Sequence, residues 1–208
     1  SAPTQKLAEN PTRFHVENVP TSTYMLIPRV SSERRRFIPM GYIDSTTMTS
    51  DSAHIVIGTT PFHFGLLSST MHNAWVRSTC GRLESRYRYS KDIVYNNYPW
   101  PKAPSAGARQ TVEAAAQGVL DARSQYADKS LAWLYNPETM PAPLRDAHDT
   151  PDVAVDDAYG YTGRDDDADR VAYLFERYRE LTTLLPSTVE TPATEGTKKR
   201  KTRAKSTP

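Results

Sequence analysis

The stretch "PWPKAPSAGARQ", residues 99–110, divides the chain into two texts that cannot fold by the same rule. Pro99, Pro101 and Pro104 each remove a backbone donor, and small residues follow with no apolar period, which marks a boundary. Before it, apolar residues come in short runs. "TYMLIPRV" and "RFIPMGYI", separated by polar "SSERR", suggest a hairpin or two neighbouring strands, and "SAHIVIG" suggests a further strand. Between them and the boundary, "TPFHFGLLSSTMHNAWVRSTCG" reads as one helix, with Thr60 as cap, Pro61 at the first helical position and Gly81 at its end. Phe64, Leu67, Met71, Ala74 and Trp75 recur at helical spacing as a core stripe.

After the boundary the period is helical. Val112, Ala115, Ala116, Val119 and Leu120 make one face; "SLAWLY" is a short helical turn stopped by Pro137. "APLRDAHDTPDVAVDDAYGY" holds one helical stretch or two, and Val171, Leu174, Phe175, Tyr178, Leu181 and Leu185 line a last helix. The expected class is α+β: strands around a helix in residues 1–101, a small helical domain in 102–185, and a tail in 186–208. The tail carries six Lys/Arg against Glu190 and Glu195, so it is +4 in a chain of net +2. With little to bury, it is expected to be disordered and to add non-specific attraction to phosphates.

Composition excludes several classes. Mean hydropathy is −0.64, no apolar run approaches the ~18 residues of a membrane span, and no secretory leader pattern opens the chain. Cys80, the single cysteine, excludes an internal disulfide and a multi-cysteine zinc site. The expectation is a soluble, cytoplasmic protein with no membrane partner.

Several tempting motifs have plain explanations. Asp165, Asp166 and Asp167 in "RDDDAD" fall in the first turn of a helix, where negative charge suits the macrodipole. His54, His63 and His72 are nine apart, a spacing no single element turns into a metal site. Cys80 has no evident activating partner. "NNYPWP", residues 96–101, invites comparison with the Asn-Pro-Pro-aromatic motif of amino-methyltransferases, but its Tyr98 precedes the prolines. No P-loop, G-x-S-x-G or G-x-G-x-x-G is present. Catalytic, cofactor-binding and metal residues are therefore not expected in this chain.

"RLESRYRYS" is more telling. Its alternation puts Leu83, Ser85, Tyr87 and Tyr89 on one side of an extended strand and Glu84, Arg86 and Arg88 on the other. The charged face is either a solvated surface with internal ion pairing or a base-reading edge. In the second case Arg donates bidentately to guanine and Glu accepts from cytosine N4. Arg34, Arg35 and Arg36 in "SSERRR" would then supply positioning phosphate contacts.

"YMLIPRVSSERRRFIPMGYI", "SAHIVIG", "HFGLLSSTMHNAWVR", "CGRLESRYRYSKDIVYNNYPWP", "ARSQYADKSLAWLYNPETMPAPLRDAH" and "AYGY" together resemble the C-terminal part of MmeI-like type IIL restriction–modification enzymes and related adenine methyltransferases, over about residues 20 to 185. The resemblance implies the latter part of a target-recognition domain followed by a helical C-terminal domain. It implies three polar pairs that read bases: Arg29 with Asp51, Ser52 with Arg88, and Glu84 with Arg86. "DIVYNNYPWP" then becomes the strand and turn that close the recognition domain, its tyrosines and Trp100 packing on the helices. Neither a cofactor loop nor a catalytic motif lies in this chain, so S-adenosylmethionine (SAM) is expected in a methyltransferase domain of the parent polypeptide or of a partner chain. The partner this reading implies is double-stranded DNA, recognised for an N6-adenine methyltransferase. The alternative is a helical scaffold that binds protein and has no DNA specificity of its own.

Overall fold

The computed structural model describes residues 20–183, together with Thr4, Gln5, Ala8 and Pro11; the basic tail lies outside the described residues. The run "YMLIP" forms β1, Tyr24–Pro28, the central strand of an antiparallel sheet. β3, Gly41–Ile43, pairs on one side with Tyr24 opposite Ile43. β4, Ala53–Val56, pairs on the other with Leu26 opposite Ile55. Between β1 and β3 the chain passes through β2, Val30–Ser31, which belongs to a second antiparallel sheet of order β2–β6–β5. There β5 is Gly81–Leu83 and β6 is Arg86–Arg88. Arg29 is the joint between the sheets: its N–H donates to the Ser52 carbonyl at 2.9 Å, and its carbonyl accepts from the Tyr89 N–H at 2.8 Å.

"RFIPMGYI" yields a strand only in its last three residues. Pro39 offers no ladder donor, and residues 36–40 run as an irregular segment that buries Phe37, Ile38 and Met40. Its backbone is paid for locally: the Ile38 N–H donates to Asn73 Oδ1 at 3.0 Å.

The single helix expected over residues 60–81 is two. α1 spans Pro61–Ser68 and α2 spans Thr70–Thr79. Ser69 is extended between them; its Oγ donates to the Leu66 carbonyl at 2.7 Å and accepts from the His72 N–H at 3.3 Å. Serine hydroxyls compete for helix backbone groups in this way, so one residue closes α1 and caps α2. Pro61 stands at the start as expected, and the Thr60 N–H donates to His63 Nδ1 at 3.1 Å. Gly81 caps nothing: Cys80 ends α2 at an ordinary φ of −70°, and Gly81 opens β5. All five residues of the expected stripe are buried.

The second half is helical: α3 Ala106–Ser124, α4 Leu131–Leu134, α5 Ala142–Tyr159 and α6 Asp167–Thr183. Ser105 caps α3 by accepting from the Ala108 N–H at 3.1 Å. α5 continues through Pro151 and ends at Gly160, which takes φ 65° in the left-handed region open to glycine. One core runs through both halves. Gly65 of α1 lies so close to α3 that a Cβ there would stand 2.7 Å from Val112 Cγ1. Trp75 meets Phe175 with ring centroids 5.1 Å apart, and Tyr98 meets Tyr159 at 6.3 Å. The stripe of α6 overruns this core, leaving Phe175 and Leu181 exposed, while Leu185 lies outside the described residues.

Polar groups join the halves as well. Buried Arg123 donates to the Met40 carbonyl at 2.7 Å and to the Tyr135 hydroxyl, which in turn bonds His148 Nε2 at 2.8 Å. Burial first, then the nearby Arg123 and Arg36 charges, hold His148 down to about 3, so the neutral ring is free to accept from Tyr135. The same ring stacks on Phe37 at 4.1 Å. Arg77 grips both carboxylate oxygens of Asp167, at 2.5 and 2.8 Å.

Candidate nucleic-acid interface

"RLESRYRYS" is a hairpin, not the one strand its alternation suggests. Leu83 pairs with Arg86, which leaves Glu84 and Ser85 as a two-residue loop. Glu84 adopts φ 58° while Ser85 keeps a negative φ, the pattern of a type II′ turn, whose first central residue is normally glycine. Beyond the turn the alternation holds. Tyr87 and Tyr89 point inward and are buried, and Arg86 and Arg88 are exposed. Leu83 does not join the buried side, being exposed on β5. Glu84 and Arg86 meet in an ion pair at 2.7 Å, with side chains 77% and 45% exposed. Both sequence readings are therefore compatible with this face: it pairs internally, and it is open to a partner. Arg82, opposite Tyr87, sets its guanidinium 4.2 Å over the Tyr87 ring and donates from Nη1 to the Ser85 carbonyl at 3.1 Å.

The remaining candidates converge on the Arg29 joint. Arg29 Nη1 donates to Asp51 at 2.7 Å, but to its backbone carbonyl and not its carboxylate. Ser52 Oγ lies 2.7 Å from Ser50 Oγ. Arg88 is paired between Val30 and Gly81. Arg29 and Arg88 share a groove of about 300 Å³ with His54, Lys91 and Asp92. A larger groove of about 540 Å³ adjoins it, lined by Met48, Asp51, His54, Ile55, Lys91 and Tyr95 among others. Lys91, which borders both, and Arg82 were not singled out by sequence. Arg82 opens the alternating segment and Lys91 follows it, so their sequence signal is a basic residue at either end.

Arg34, Arg35 and Arg36 turn toward the helical half. Arg34 pairs with Glu138 at 2.5 Å, Arg35 donates to the Ala132 carbonyl at 3.3 Å, and Arg36 reaches Asp149 at 3.3 Å and Asp152 at 3.1 Å. Asp152 also accepts from the Thr70 N–H at 2.6 Å and hydroxyl at 2.5 Å. Arg34 and Arg36 stay 62% and 49% exposed, so part of each donor fork still faces solvent.

The other motifs are absorbed by structure. Asp165 pairs with Arg170 at 2.7 Å and Asp167 with Arg77. His54 Nε2 lies 3.2 Å from the Tyr89 carbonyl, and His63 caps α1. His72 is fully buried between the Leu67 carbonyl and the Tyr89 hydroxyl, and burial drops it to about 3. Burial pushes the half-buried Cys80 thiol up, away from the reactive thiolate. "DIVYNNYPWP" contains no strand: Lys91–Tyr95 is a single π-helical turn. Ser90 heads it, its Oγ accepting from the Ile93 N–H, and Asn97 Nδ2 closes it by donating to the Asp92 carbonyl at 2.8 Å. Tyr98 is buried and Trp100 packs edge-on against it at 5.3 Å.

The architecture is thus a two-sheet unit that presents a charged hairpin, backed by a helical unit that shares its core. The model described as "MmeI, target recognition domain" matches residues 1–102, and that of "MmeI, C-terminal domain" matches residues 105–186. The chain belongs to the MmeI family. It is 36% identical over 179 residues to DNA methyltransferase A of Bacillus subtilis (strain 168), which covers 86% of this chain and 20% of that protein. Among solved structures it is similar to the type IIL restriction-modification enzyme MmeI in complex with DNA, at 46% identity and TM-score 0.83, covering 88% of this chain and 24% of that one. The chain thus spans about a fifth to a quarter of the length of these relatives.

Proposed function

We propose that this chain reads double-stranded DNA through the major groove for a SAM-dependent N6-adenine methyltransferase of restriction–modification type. The observation that carries this reading is the hairpin, whose tyrosines anchor it inward while Glu84, Arg86 and Arg88 project into solvent. Arg86 donates to guanine O6 and N7, and Glu84 accepts from N4 of the paired cytosine. Arg29 with Asp51, and Ser52 with Arg88, address further pairs from the joint between the sheets, beside the hairpin. The exposed donors of Arg34 and Arg36, with the partly buried Arg35 between them, reach phosphate, which positions without specifying. Residues 1–101 form the reading unit and 102–185 its support.

SAM does not fit the described residues. Both sheets are antiparallel, and the β4-to-α1 connection holds one glycine, Gly58, not the glycine-rich strand-to-helix turn that cradles such a cofactor. The cofactor, and the methyl transfer, belong to a methyltransferase domain of the same polypeptide or of a partner. Among the described residues no helix is long and apolar enough to cross a membrane; the cytoplasmic site of action in this reading follows from the DNA that it addresses.

The test is selection of bound duplexes from a randomised pool, with binding titrated against salt. The reading requires enrichment of a defined sequence and affinity that falls steeply as salt rises. Binding without sequence preference would overturn it, and binding of proteins in place of DNA would favour the scaffold.

A further inference from the structure

We infer that Arg82 is a positioning residue for base reading: it holds the hairpin loop in the shape that presents Glu84 and Arg86. This rests on the DNA-reading function proposed above. The loop needs holding, because φ 58° is disfavoured for any residue with a Cβ and Glu84 supplies no glycine there. Core packing cannot supply the restraint. All of β5 is exposed, and among the described residues it is an edge strand paired only with β6. Tyr87, directly across from Arg82, is buried and also pairs with Ser31 of β2, so it is fixed to the body of the protein. Arg82 spans from that anchored ring to the Ser85 carbonyl, 4.2 Å from the ring centre and 3.1 Å from the oxygen. A guanidinium does both at once, since its face stacks while its edge donates. A lysine ammonium has neither the plane nor the fork.

The experiment compares R82Q, R82K, Y87F and Y87L with the native chain by two readouts. The first is amide hydrogen exchange at Arg86, paired opposite Leu83. The second is base preference in the randomised-duplex selection, with an E84Q/R86Q variant identifying the position that the hairpin reads. Positioning requires faster exchange at Arg86 in R82Q, R82K and Y87L but not in Y87F. It also requires discrimination at the hairpin-read position to fall by roughly tenfold in the same three variants, with other positions unchanged. Unchanged exchange in R82Q overturns the inference. So does a loss of affinity equal for all sequences and rescued by R82K, because that is a phosphate contact. Both of those results leave the DNA-reading function standing. A native chain with no base preference removes that function and this inference together.

Discussion

Glu84 combines a backbone angle that suits glycine with a carboxylate that holds Arg86 at 2.7 Å. Both side chains occupy the tip of one turn, so their charges can be exchanged without disturbing a buried atom. Glu84→Lys with Arg86→Asp is expected to invert the preferred base pair at one position of the target and to leave the rest unchanged, as read by mapping the enriched or methylated sequence. Retention of the original sequence would show that this pair reads no base. A second expectation concerns His72 and His148, both buried, neutral and lowered to about 3. Below the ordinary histidine value the unfolded chain takes up protons that the folded chain refuses, so stability is complete above about pH 6.5 and is lost on acidification. The loss is up to about 1.4 kcal/mol per pH unit for each histidine. Asp152 and Asp156, raised by burial, act in the opposite sense, and because they are common to the native chain and a histidine variant, the difference between the two reports the histidine. His72→Gln should remove one proton from the slope of denaturation free energy against pH, and an unchanged slope would refute the assignment. The outward direction of Arg86 and Arg88 was legible from alternation alone. The turn was not, because no Gly, Pro or Asn announces it at Glu84 and Ser85.

At the scale of elements, the apolar stripe from Phe64 to Trp75 was readable from spacing, but the break inside it was not. Ser68 and Ser69 read as tolerated helix residues until their hydroxyls are seen bonding the Phe64 and Leu66 carbonyls. Likewise "DIVYNNYPWP" has strand-like composition, and it is Ser90 and Asn97, one at each end, that close it into a π-helical turn. α1 and α3 approach closely at Gly65. Gly65→Ala would set its methyl 2.7 Å from Val112 Cγ1 and 3.2 Å from the Val112 carbonyl. A destabilisation of about 1–3 kcal/mol follows from overpacking, measurable by denaturant titration. Base preference should be unaffected, and a neutral effect on stability would mean that the helices separate at little cost.

Across the whole molecule, Arg123 ties the Met40 carbonyl of the first half to Tyr135 and His148 of the second. Arg123→Ala orphans that carbonyl and opens a cavity beside Phe64, so a loss of about 3 kcal/mol is expected. Because the core is continuous, the loss should lower one cooperative calorimetric transition by roughly 6–12 °C. Two separate transitions would show that the halves fold alone. The composition break near residue 102 is visible in the sequence, but the interlock across it is not, because it depends on basic Arg34, Arg36 and Arg77 meeting acidic Glu138, Asp149, Asp152 and Asp167 from far along the chain.

The interlock has a consequence for biosynthesis. The helix that covers Gly65 ends at Ser124, and the ring that stacks on Phe37 belongs to His148. At about 5–20 residues per second, the nascent hairpin and strands wait several seconds before the segments that complete their core leave the ribosome. During that interval the apolar faces of α1 and α2 are uncovered, and chaperone capture or aggregation competes with docking. A polypeptide terminated near residue 101 would remain in that half-made condition, so the two-sheet half depends on the helical half for its solubility as well as its shape.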